Sequence, residues 1–445
     1  MMQGDNSILR NLVLYEIYVR NHGPNGTFSD VTNDLDRIKS MGVDIIWFMP
    51  IHPIGEKNKK GTLGCPYSIQ DYRKVNPEYG SLEDFQNLIV SAHQKGLKVM
   101  IDVVFNHTAH DSVLVQNHPE YFHQDEHGQP FTTVPAWSDV IDLKHPNDAL
   151  QKYLIDSLCY WVEMGIDGFR CDVASIIPLS FWADAKAQVE AINPDFIWLA
   201  ESVETGWVID RRRNGLTAHA DAELYQAFDL TYDYDVWSVW KAVVIGKLPT
   251  LRYLEMVEFQ KGIYPEDYIK MRCVENHDNA RIMKFAPNQT SAKAWTALED
   301  FLPGAFLMYA GQESAAIKTP SLFEFDKIHW GDYLLQDWLT KLIQIKKSNI
   351  FINGNHTFLS AEPMVQSIWI GEKNALYGFF NINYIKGPIS CQLPDGIYED
   401  LISHNKYEVV NQIVDFRGSC AAIFEVSPKL VFRPMRFKLL EYFDE

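Results

Sequence analysis

Four segments of the chain share one pattern, in which a run of apolar residues ends in charged or polar ones. These segments are Val99–His107, Gly168–Asp172, Phe196–Glu201 and Met271–Asp278. An apolar run of this length between helical patterns is typical of a buried parallel strand. Because the charges appear only where each run stops, we expect them at the carboxyl ends of the strands. In a β/α barrel, that end builds the active site.

Strand and helix signals alternate from residue 13 to about residue 350. A helix is predicted after Ser81, where Asp84 stands in capping-box position. Eight β-then-α units predict a (β/α)8 TIM barrel, with a doubly wound parallel sheet as the alternative. The predicted strands are Leu12–Val19, Val43–Met49, Leu97–Val104, Ile166–Asp172, Phe196–Ala200, Ala227–Leu230, Tyr268–Val274 and Ala305–Tyr309.

Two stretches depart from this alternation. Residues 108–147 show poor helical periodicity, and a loop this long within a compact domain is usually functional or a small subdomain. After about residue 351, short alternating runs such as Gln366–Ile370 are separated by Gly, Pro, Asn and Asp, which predicts an antiparallel β-sandwich. We therefore expect a barrel over 1–107 and 148–350, an insertion over 108–147 and a C-terminal domain over 351–445.

Composition narrows the classes of partner and the cellular location. The 445 residues are 47% hydrophobic and 22% charged, as in ordinary globular proteins. A formal net charge of −18 argues against nucleic acid and anionic membranes as partners. No signal-peptide pattern opens the sequence, and no apolar run approaches the roughly 20 residues of a membrane span. Six scattered cysteines without a C-x-x-C pair favour a reduced, cytoplasmic protein.

The strand ends carry two carboxylates with opposed predicted environments. Residues two apart on a strand share a face, so Arg170 and Asp172 point the same way, as do Asp102 and Asn106. A neighbouring Arg keeps Asp172 ionised and suited to act as a nucleophile. Glu201 follows apolar residues, which raise a carboxyl pKa and suit a proton donor. Two such carboxylates, if about 5–5.5 Å apart, are the equipment of a retaining glycosidase.

Each of these signals is weak by itself. An isolated carboxylate at a strand end is more often a loop cap or an ion-pair partner, and a lone His is more often a core residue. The co-occurrence of such residues at the ends of strands three, four, five and seven carries the argument. His277 and Asp278 add polar groups that can bind sugar hydroxyls.

The motifs at these strand ends resemble those of the α-amylase family of glycoside hydrolases (family 13), most closely a small intracellular bacterial α-amylase. The resemblance covers about residues 13–350, and the trailing sandwich also fits the family. The motifs are Asp102–His107, Gly168–Asp172, the Glu201 strand, Glu275–Asp278, Pro66–Tyr72 with Tyr79–Ser81, and Ala305–Glu313.

The resemblance implies a role for each matching residue. Asp172 would be the nucleophile, Glu201 the acid/base and Asp278 the transition-state stabiliser. The implied substrate-binding residues are Tyr67, which would stack on the sugar ring, with Asp102, His107, Arg170 and His277. Residues 108–147 would be the family's small domain B.

The calcium site common in the family is incomplete in this sequence. Asn106 remains and would be a ligand if a calcium is present. Ile176 stands in place of a ligating His, and Lys144 replaces a usual Asp. Because Ca²⁺ normally takes about 6–8 oxygen ligands, we expect no calcium there and no required cofactor.

Several functions stay open within this assignment. The implied reaction is cleavage of α-1,4-glucosidic bonds in maltodextrin, starch or glycogen, and the short domain B favours endo action. The alternatives are an exo-acting maltodextrinase or neopullulanase-like enzyme, an α-glucosidase-like enzyme and a 4-α-glucanotransferase. An inactive binding protein would have lost carboxylates that are all present here, and an enzyme of phosphorylated metabolites would carry a Gly-rich phosphate loop. The sequence leaves the oligomeric state open.

Overall fold

The computed structural model describes residues 6–437. Eight parallel strands close into a barrel in the order β1-β8-β7-β6-β5-β4-β3-β2, which confirms the TIM barrel and excludes the doubly wound sheet. The strands are β1 Val13–Ile17, β2 Ile45–Phe48, β3 Lys98–Val103, β4 Gly168–Cys171, β5 Ile197–Ala200, β6 Leu230–Tyr232, β7 Lys270–Arg272 and β8 Ala305–Tyr309.

Helices cover the outside of the barrel. The predicted capping box is present, because Ser81 Oγ accepts from the Asp84 N–H at 3.1 Å and Asp84 accepts from the Ser81 N–H at 2.8 Å. The α-helices are Val19–His22, Phe28–Ser40, Leu82–Gln94, Val113–Asn117, Asp148–Glu163, Leu179–Glu190, Thr205–Arg213, Asp221–Leu224, Tyr234–Val244, Thr250–Ile263, Ile282–Phe285, Gln289–Phe301, Gln336–Lys346 and Ile350–Asn353. The 3₁₀ turns are Asn6–Asn11, Pro119–Tyr121, Ala174–Ile176 and Gln312–Ser314.

The sixth strand lies later in the chain than its apolar residues predict. The prediction of Ala227–Leu230 is wrong for all but the last residue, because β6 runs from Leu230 to Tyr232. The N–H groups of Ala227 and Phe228 donate to the Leu224 carbonyl at 2.9 and 3.0 Å, so these two residues complete a helical turn. Their apolar character reflects burial in that turn.

An insertion and a C-terminal domain complete the architecture. Between β3 and β4, the strands His107–Ala109 and Val140–Asp142 form an antiparallel pair. The C-terminal domain packs two four-stranded antiparallel sheets, ordered β9-β10-β11-β16 and β12-β15-β14-β13. These strands are β9 Asn355–Ser360, β10 Val365–Ile370, β11 Ala375–Phe380, β12 Pro388–Ser390, β13 Gly396–Glu399, β14 Lys406–Val410, β15 Ile413–Asp415 and β16 Ala421–Val426. Over residues 6–437, no helix is both long and apolar enough to cross a bilayer.

The start of β4 has room only for glycine. A Cβ added to Gly168 would lie 2.9 Å from the Ile197 carbonyl oxygen and 2.8 Å from the Met100 side chain. β4 pairs with both β3 and β5, so this close approach fixes the position of β4 between them. β4 places Arg170 and Asp172 at the carboxyl end of the barrel.

Candidate active site

A cavity of about 250 Å³ lies at the carboxyl ends of the barrel strands. Asp172 follows β4, Glu201 follows β5, and Asp278 lies in the loop after β7. All three carboxylates line this cavity. Of the five predicted substrate-binding residues, Tyr67, His107 and His277 line it as well, whereas Asp102 and Arg170 do not.

Arg170 joins the carboxylates from beneath the cavity. Its Nη1 donates to Asp172 Oδ1 at 2.7 Å and to Asp102 Oδ1 at 3.0 Å, and its Nη2 lies 2.9 Å from Glu201 Oε1. Its Nε donates to the Tyr232 hydroxyl at 3.1 Å. A planar guanidinium with several fixed donors can hold two carboxylates in one relative position. Arg170 therefore sets the geometry of Asp172 against Glu201.

Glu201 has the environment of a proton donor. Its burial raises the pKa to about 8, with Arg170 acting against the shift and Asp172 and Asp278 adding to it. The Val173 N–H also donates to Glu201 Oε2 at 2.7 Å. Val173 adopts a left-handed conformation with φ 38°, which is rare for a β-branched residue and places this N–H at the carboxylate.

His277 links β1 to the cavity. Its Nδ1 lies 2.5 Å from Glu16 Oε1, and its Nε2 lies 2.7 Å from the Tyr67 hydroxyl and 3.3 Å from Asp278 Oδ2. Burial works to lower the pKa of His277, but the Asp278 and Glu16 carboxylates outweigh it and raise the value to about 9. A protonated His277 can donate from both nitrogens.

Asp102 supports the site and does not line it. Its side chain is fully buried, and it accepts from the Tyr67 hydroxyl at 3.0 Å as well as from Arg170. Burial raises the pKa of Asp102 to about 7, although Arg170 opposes the shift. The Tyr67 ring stacks on His277 with centroids 5.3 Å apart.

Several residues of the site were not predicted. Glu16 is the lone charge in the buried strand β1, and that pattern could have identified it. Trp137 contacts His107, with ring centroids 5.2 Å apart, but it lies in the irregular insertion, where spacing carries no signal. Tyr232 ends β6, whose position was predicted too early in the chain.

The residues around Asn106 do not fit a calcium ion. The Asn106 amide nitrogen lies 3.3 Å from His107 Nδ1, and Asp142 accepts from the Thr133 N–H and hydroxyl at 2.7 and 2.6 Å. Ile176 lies in an apolar cluster with Val203 and Val208 among others. Lys144 is exposed. One amide and one carboxylate beside an apolar surface supply far fewer than the about 6–8 oxygens that Ca²⁺ takes.

A second cavity of about 390 Å³ continues from the first. The two cavities share Trp137, Val173, Glu201 and Asp278. Beyond these shared residues, the lining of the second cavity includes three aromatic rings, Trp207, Tyr234 and Trp237, together with Val203, Glu204, Lys241 and Asn279. Aromatic faces beside a carboxylate pair provide a surface on which sugar rings can stack.

Comparison with known proteins agrees with this geometry. The family model of the alpha amylase catalytic domain matches residues 3–349. The chain belongs to the α-amylase family. The model of the bacterial alpha amylase C-terminal domain matches residues 360–423. The motifs at the strand ends therefore identified the family correctly.

Solved structures of α-amylases overlay closely on this chain. An alpha-amylase from Lactobacillus plantarum is 40% identical, with 94% of this chain and 100% of that chain covered and a TM-score of 0.91. A noncanonic maltogenic alpha-amylase, AmyB, from Thermotoga neapolitana is 31% identical, with 94% and 99% covered and a TM-score of 0.83. The Alpha-amylase MalA of Haloarcula japonica is 28% identical over 68% of this chain, which spans 44% of that relative.

Proposed function

We propose that this protein is a retaining glycoside hydrolase that cleaves α-1,4-glucosidic bonds by double displacement. The observation that carries the proposal is that Asp172, Glu201 and Asp278 line one cavity, with Arg170 in contact with the first two. A carboxylate paired with a cation beside a carboxyl group of raised pKa is the arrangement that glycoside hydrolysis requires.

In the first step, a carboxylate oxygen of Asp172 attacks the anomeric carbon of the bound glucosyl ring. Glu201 donates its proton to the glycosidic oxygen, and the bond from that oxygen to the anomeric carbon breaks. The sugar is then held as an ester on Asp172, and the rest of the chain leaves with a free hydroxyl. Asp278, Tyr67, His107 and His277 surround the ring, where charged and polar groups stabilise its oxocarbenium character.

In the second step, the Glu201 carboxylate removes a proton from water, and the water oxygen attacks the same anomeric carbon. The ester bond to Asp172 breaks, and Glu201 regains its proton. Because each step inverts the carbon, the product keeps the α configuration.

The substrate in this proposal is an α-glucan such as maltodextrin, starch or glycogen. The free thiol state of all six cysteines supports a cytoplasmic location. In that compartment, imported maltodextrin and stored glycogen are the available glucans of this class.

Proton NMR of the first product formed from maltoheptaose tests the proposal. We expect the α-anomer to appear before mutarotation produces the β-anomer. Initial release of the β-anomer would contradict double displacement, and an absence of any glucan cleavage would contradict the activity itself.

Transfer to a second sugar is a further candidate reaction. The aromatic residues Trp207, Tyr234 and Trp237 lie on the Glu201 side of the site, where a sugar hydroxyl could replace water in the second step. Products longer than the substrate at high maltoheptaose concentration would reveal transfer.

The mechanism uses no metal ion. The oxygen ligands around Asn106 are too few for Ca²⁺. The cations beside the carboxylates of the site are Arg170, which pairs with Asp172, and His277, which pairs with Glu16. We expect kcat/KM to be unchanged after dialysis against excess EDTA, whereas a loss that Ca²⁺ restores would contradict the expectation.

A further inference from the structure

The two sides of the catalytic cavity differ in construction. Lys60, Cys65, Leu322 and Phe323, here called the donor wall, line the first cavity and not the second. We propose that the donor wall closes the non-reducing side of the site, so that the enzyme cuts glucans close to their non-reducing ends and releases short sugars. This inference rests on the proposed hydrolysis and departs from the endo action favoured by the sequence.

The positions of the carboxylates assign the two sides. The general acid protonates the leaving oxygen, so the part of the glucan that leaves extends past Glu201. The second cavity contains Glu201 but not Asp172, and therefore lies on the leaving-group side. The first cavity contains Asp172, Tyr67 and His107, and therefore holds the ring under attack and any sugar on its non-reducing side.

Lys60 ties the donor wall to the insertion between β3 and β4. Its Nζ donates to the Ala136 carbonyl at 2.8 Å and lies 2.8 Å from Asp139 Oδ1. The Asp139 side chain is 6% exposed and the Lys60 side chain is 35% exposed, so this ion pair is partly buried. A partly buried pair with a second hydrogen bond holds its segments together more firmly than an exposed pair does.

Arg20 connects the two segments that carry the rest of the donor wall. Its side chain is 3% exposed. Its guanidinium donates to the carbonyls of Gly64 and Leu63 at 3.0 and 3.2 Å, and to the Leu322 carbonyl at 3.3 Å. One buried cation therefore joins the segment after β2 to the segment after β8.

Direct contacts between these two segments leave little space. The Leu63 N–H donates to the Phe323 carbonyl at 3.0 Å, and the Thr62 N–H donates to Glu324 at 2.8 Å. Gly61 has φ +63°, and a Cβ there would lie 2.5 Å from the Phe323 Cβ. The wall is therefore a continuous, hydrogen-bonded barrier and not two separate loop tips.

The size of the first cavity agrees with a short donor. At about 250 Å³, the first cavity lies below the range of roughly 300–1,000 Å³ that drug-sized ligands occupy. The second cavity is larger, about 390 Å³, and more open. In this proposal, one or two glucosyl rings occupy the first cavity, and the leaving chain extends along the second cavity.

Wild-type enzyme and a maltoheptaoside blocked at its non-reducing end give the first test. We expect the blocked substrate to be cut at least about tenfold more slowly than the unblocked one, because discrimination follows differential transition-state binding. With unblocked maltoheptaose, glucose and maltose should form from the start of the reaction. Equal rates on both substrates, with products of intermediate length appearing first, would overturn the inference.

A variant that opens the wall gives the second test. The double substitution Leu322→Ala with Phe323→Ala should raise the ratio of blocked to unblocked kcat/KM by about tenfold. Phe325→Ala is the matched control, because this ring is 45% exposed on the same segment and does not line the cavity. An unchanged ratio in an active double variant would overturn the inference.

The tests separate this inference from the proposed function. If the wild type releases α-anomers but cuts blocked and unblocked substrates equally, hydrolysis stands and the closed wall fails. If no glucan is cut with retention, the proposed function fails first. The wild-type comparison decides the inference even if the double variant does not fold.

Discussion

The barrel contains two buried groups of charged side chains, one at its mouth and one on its outer, helix-covered side. The mouth cluster consists of Arg170, Asp102, Asp172 and Glu201, and it meets the catalytic cavity. The helix-side cluster consists of Lys270, Arg272, Asp221, Asp233 and Asp235, and it lies between β7 and the helices that cover it.

The ratio of charges differs between the clusters. In the mouth cluster, one cation faces three carboxylates, and burial raises the pKa of Glu201 to about 8 and that of Asp102 to about 7. In the helix-side cluster, two cations face three carboxylates. Although burial raises the pKa of Asp233 to about 6 and also raises that of Asp221, the pKa of Asp235 is lowered against its burial by Lys270 and by hydrogen bonds.

Hydrogen bonding separates the clusters as well. Lys270 lies 3.0 Å from Asp235, donates to the Tyr232 carbonyl at 3.1 Å and also pairs with Asp221. A buried network in which each polar group has a partner makes the fold rigid. In the mouth cluster, the raised pKa of Glu201 favours a proton on a carboxyl group that lines a cavity, which is the requirement for acid catalysis.

The largest expected effect comes from removing that proton. Glu201→Gln should lower kcat/KM on maltoheptaose by about 10²–10⁴-fold, the usual contribution of general acid–base catalysis. With maltosyl fluoride and added azide, most of the rate should return, because fluoride leaves and azide attacks without proton transfer.

Glu163→Gln provides the control, since Glu163 is an exposed residue at the end of a barrel helix. Its kcat/KM should match that of the wild type. If Glu201→Gln lowers kcat/KM equally on maltoheptaose and on maltosyl fluoride, and azide has no effect, the acid/base role of Glu201 is contradicted.

The helix-side cluster should affect stability and not catalysis. Asp233→Asn leaves the buried Arg272 without its carboxylate at 2.5 Å, and breaking a buried pair costs about 3–5 kcal/mol of unfolding free energy. Urea denaturation measures this loss, and kcat of the folded variant should stay near the wild-type value.

Asp156→Asn is the matched control, because Asp156 is 44% exposed and pairs with the exposed Lys152. We expect a change of less than about 1 kcal/mol for this surface pair. The comparison fails if Asp233→Asn is no more destabilising than Asp156→Asn, or if it abolishes turnover in the folded protein.

The smallest expected effect is a pH dependence. Glu201 must be protonated to donate, and its pKa is about 8, so kcat/KM should fall about tenfold per pH unit as the pH rises above that value. His277, whose pKa is about 9, is the other group whose titration could cause this fall of kcat/KM at high pH. Glu16→Gln removes a carboxylate that raises the His277 pKa, and we expect the fall to begin at the same pH in this variant. If the fall begins at lower pH in this variant, His277 is the group that causes it.

The sequence predicted the parts of the molecule that repeat or pair locally. The strand β8 has the predicted bounds, Ala305–Tyr309, and the capping box at Ser81 is present. Asp172 and Glu201 follow the apolar strands β4 and β5, as the sequence pattern predicted, and line one cavity. The sixth strand was misplaced because a buried helical turn and a buried strand carry the same apolar signal.

The parts that sequence reasoning missed depend on contacts between distant segments. Arg20 joins carbonyl oxygens more than 40 residues away, and backbone acceptors leave no trace in residue type. Lys60 meets Ala136 through an insertion without regular periodicity. Glu16 is the exception, because a lone carboxylate in a buried strand is visible in the sequence.

The identity of the nucleophile is the most direct test of the whole account. The enzyme is incubated with a 5-fluoroglucosyl fluoride, from which the ester on the nucleophile forms quickly and is hydrolysed slowly. The labelled enzyme is then digested with pepsin, and the peptides are analysed by mass spectrometry. We expect one fluoroglucosyl group on the peptide that contains Asp172. A label on any other residue, or turnover of the reagent without a labelled peptide, would contradict it.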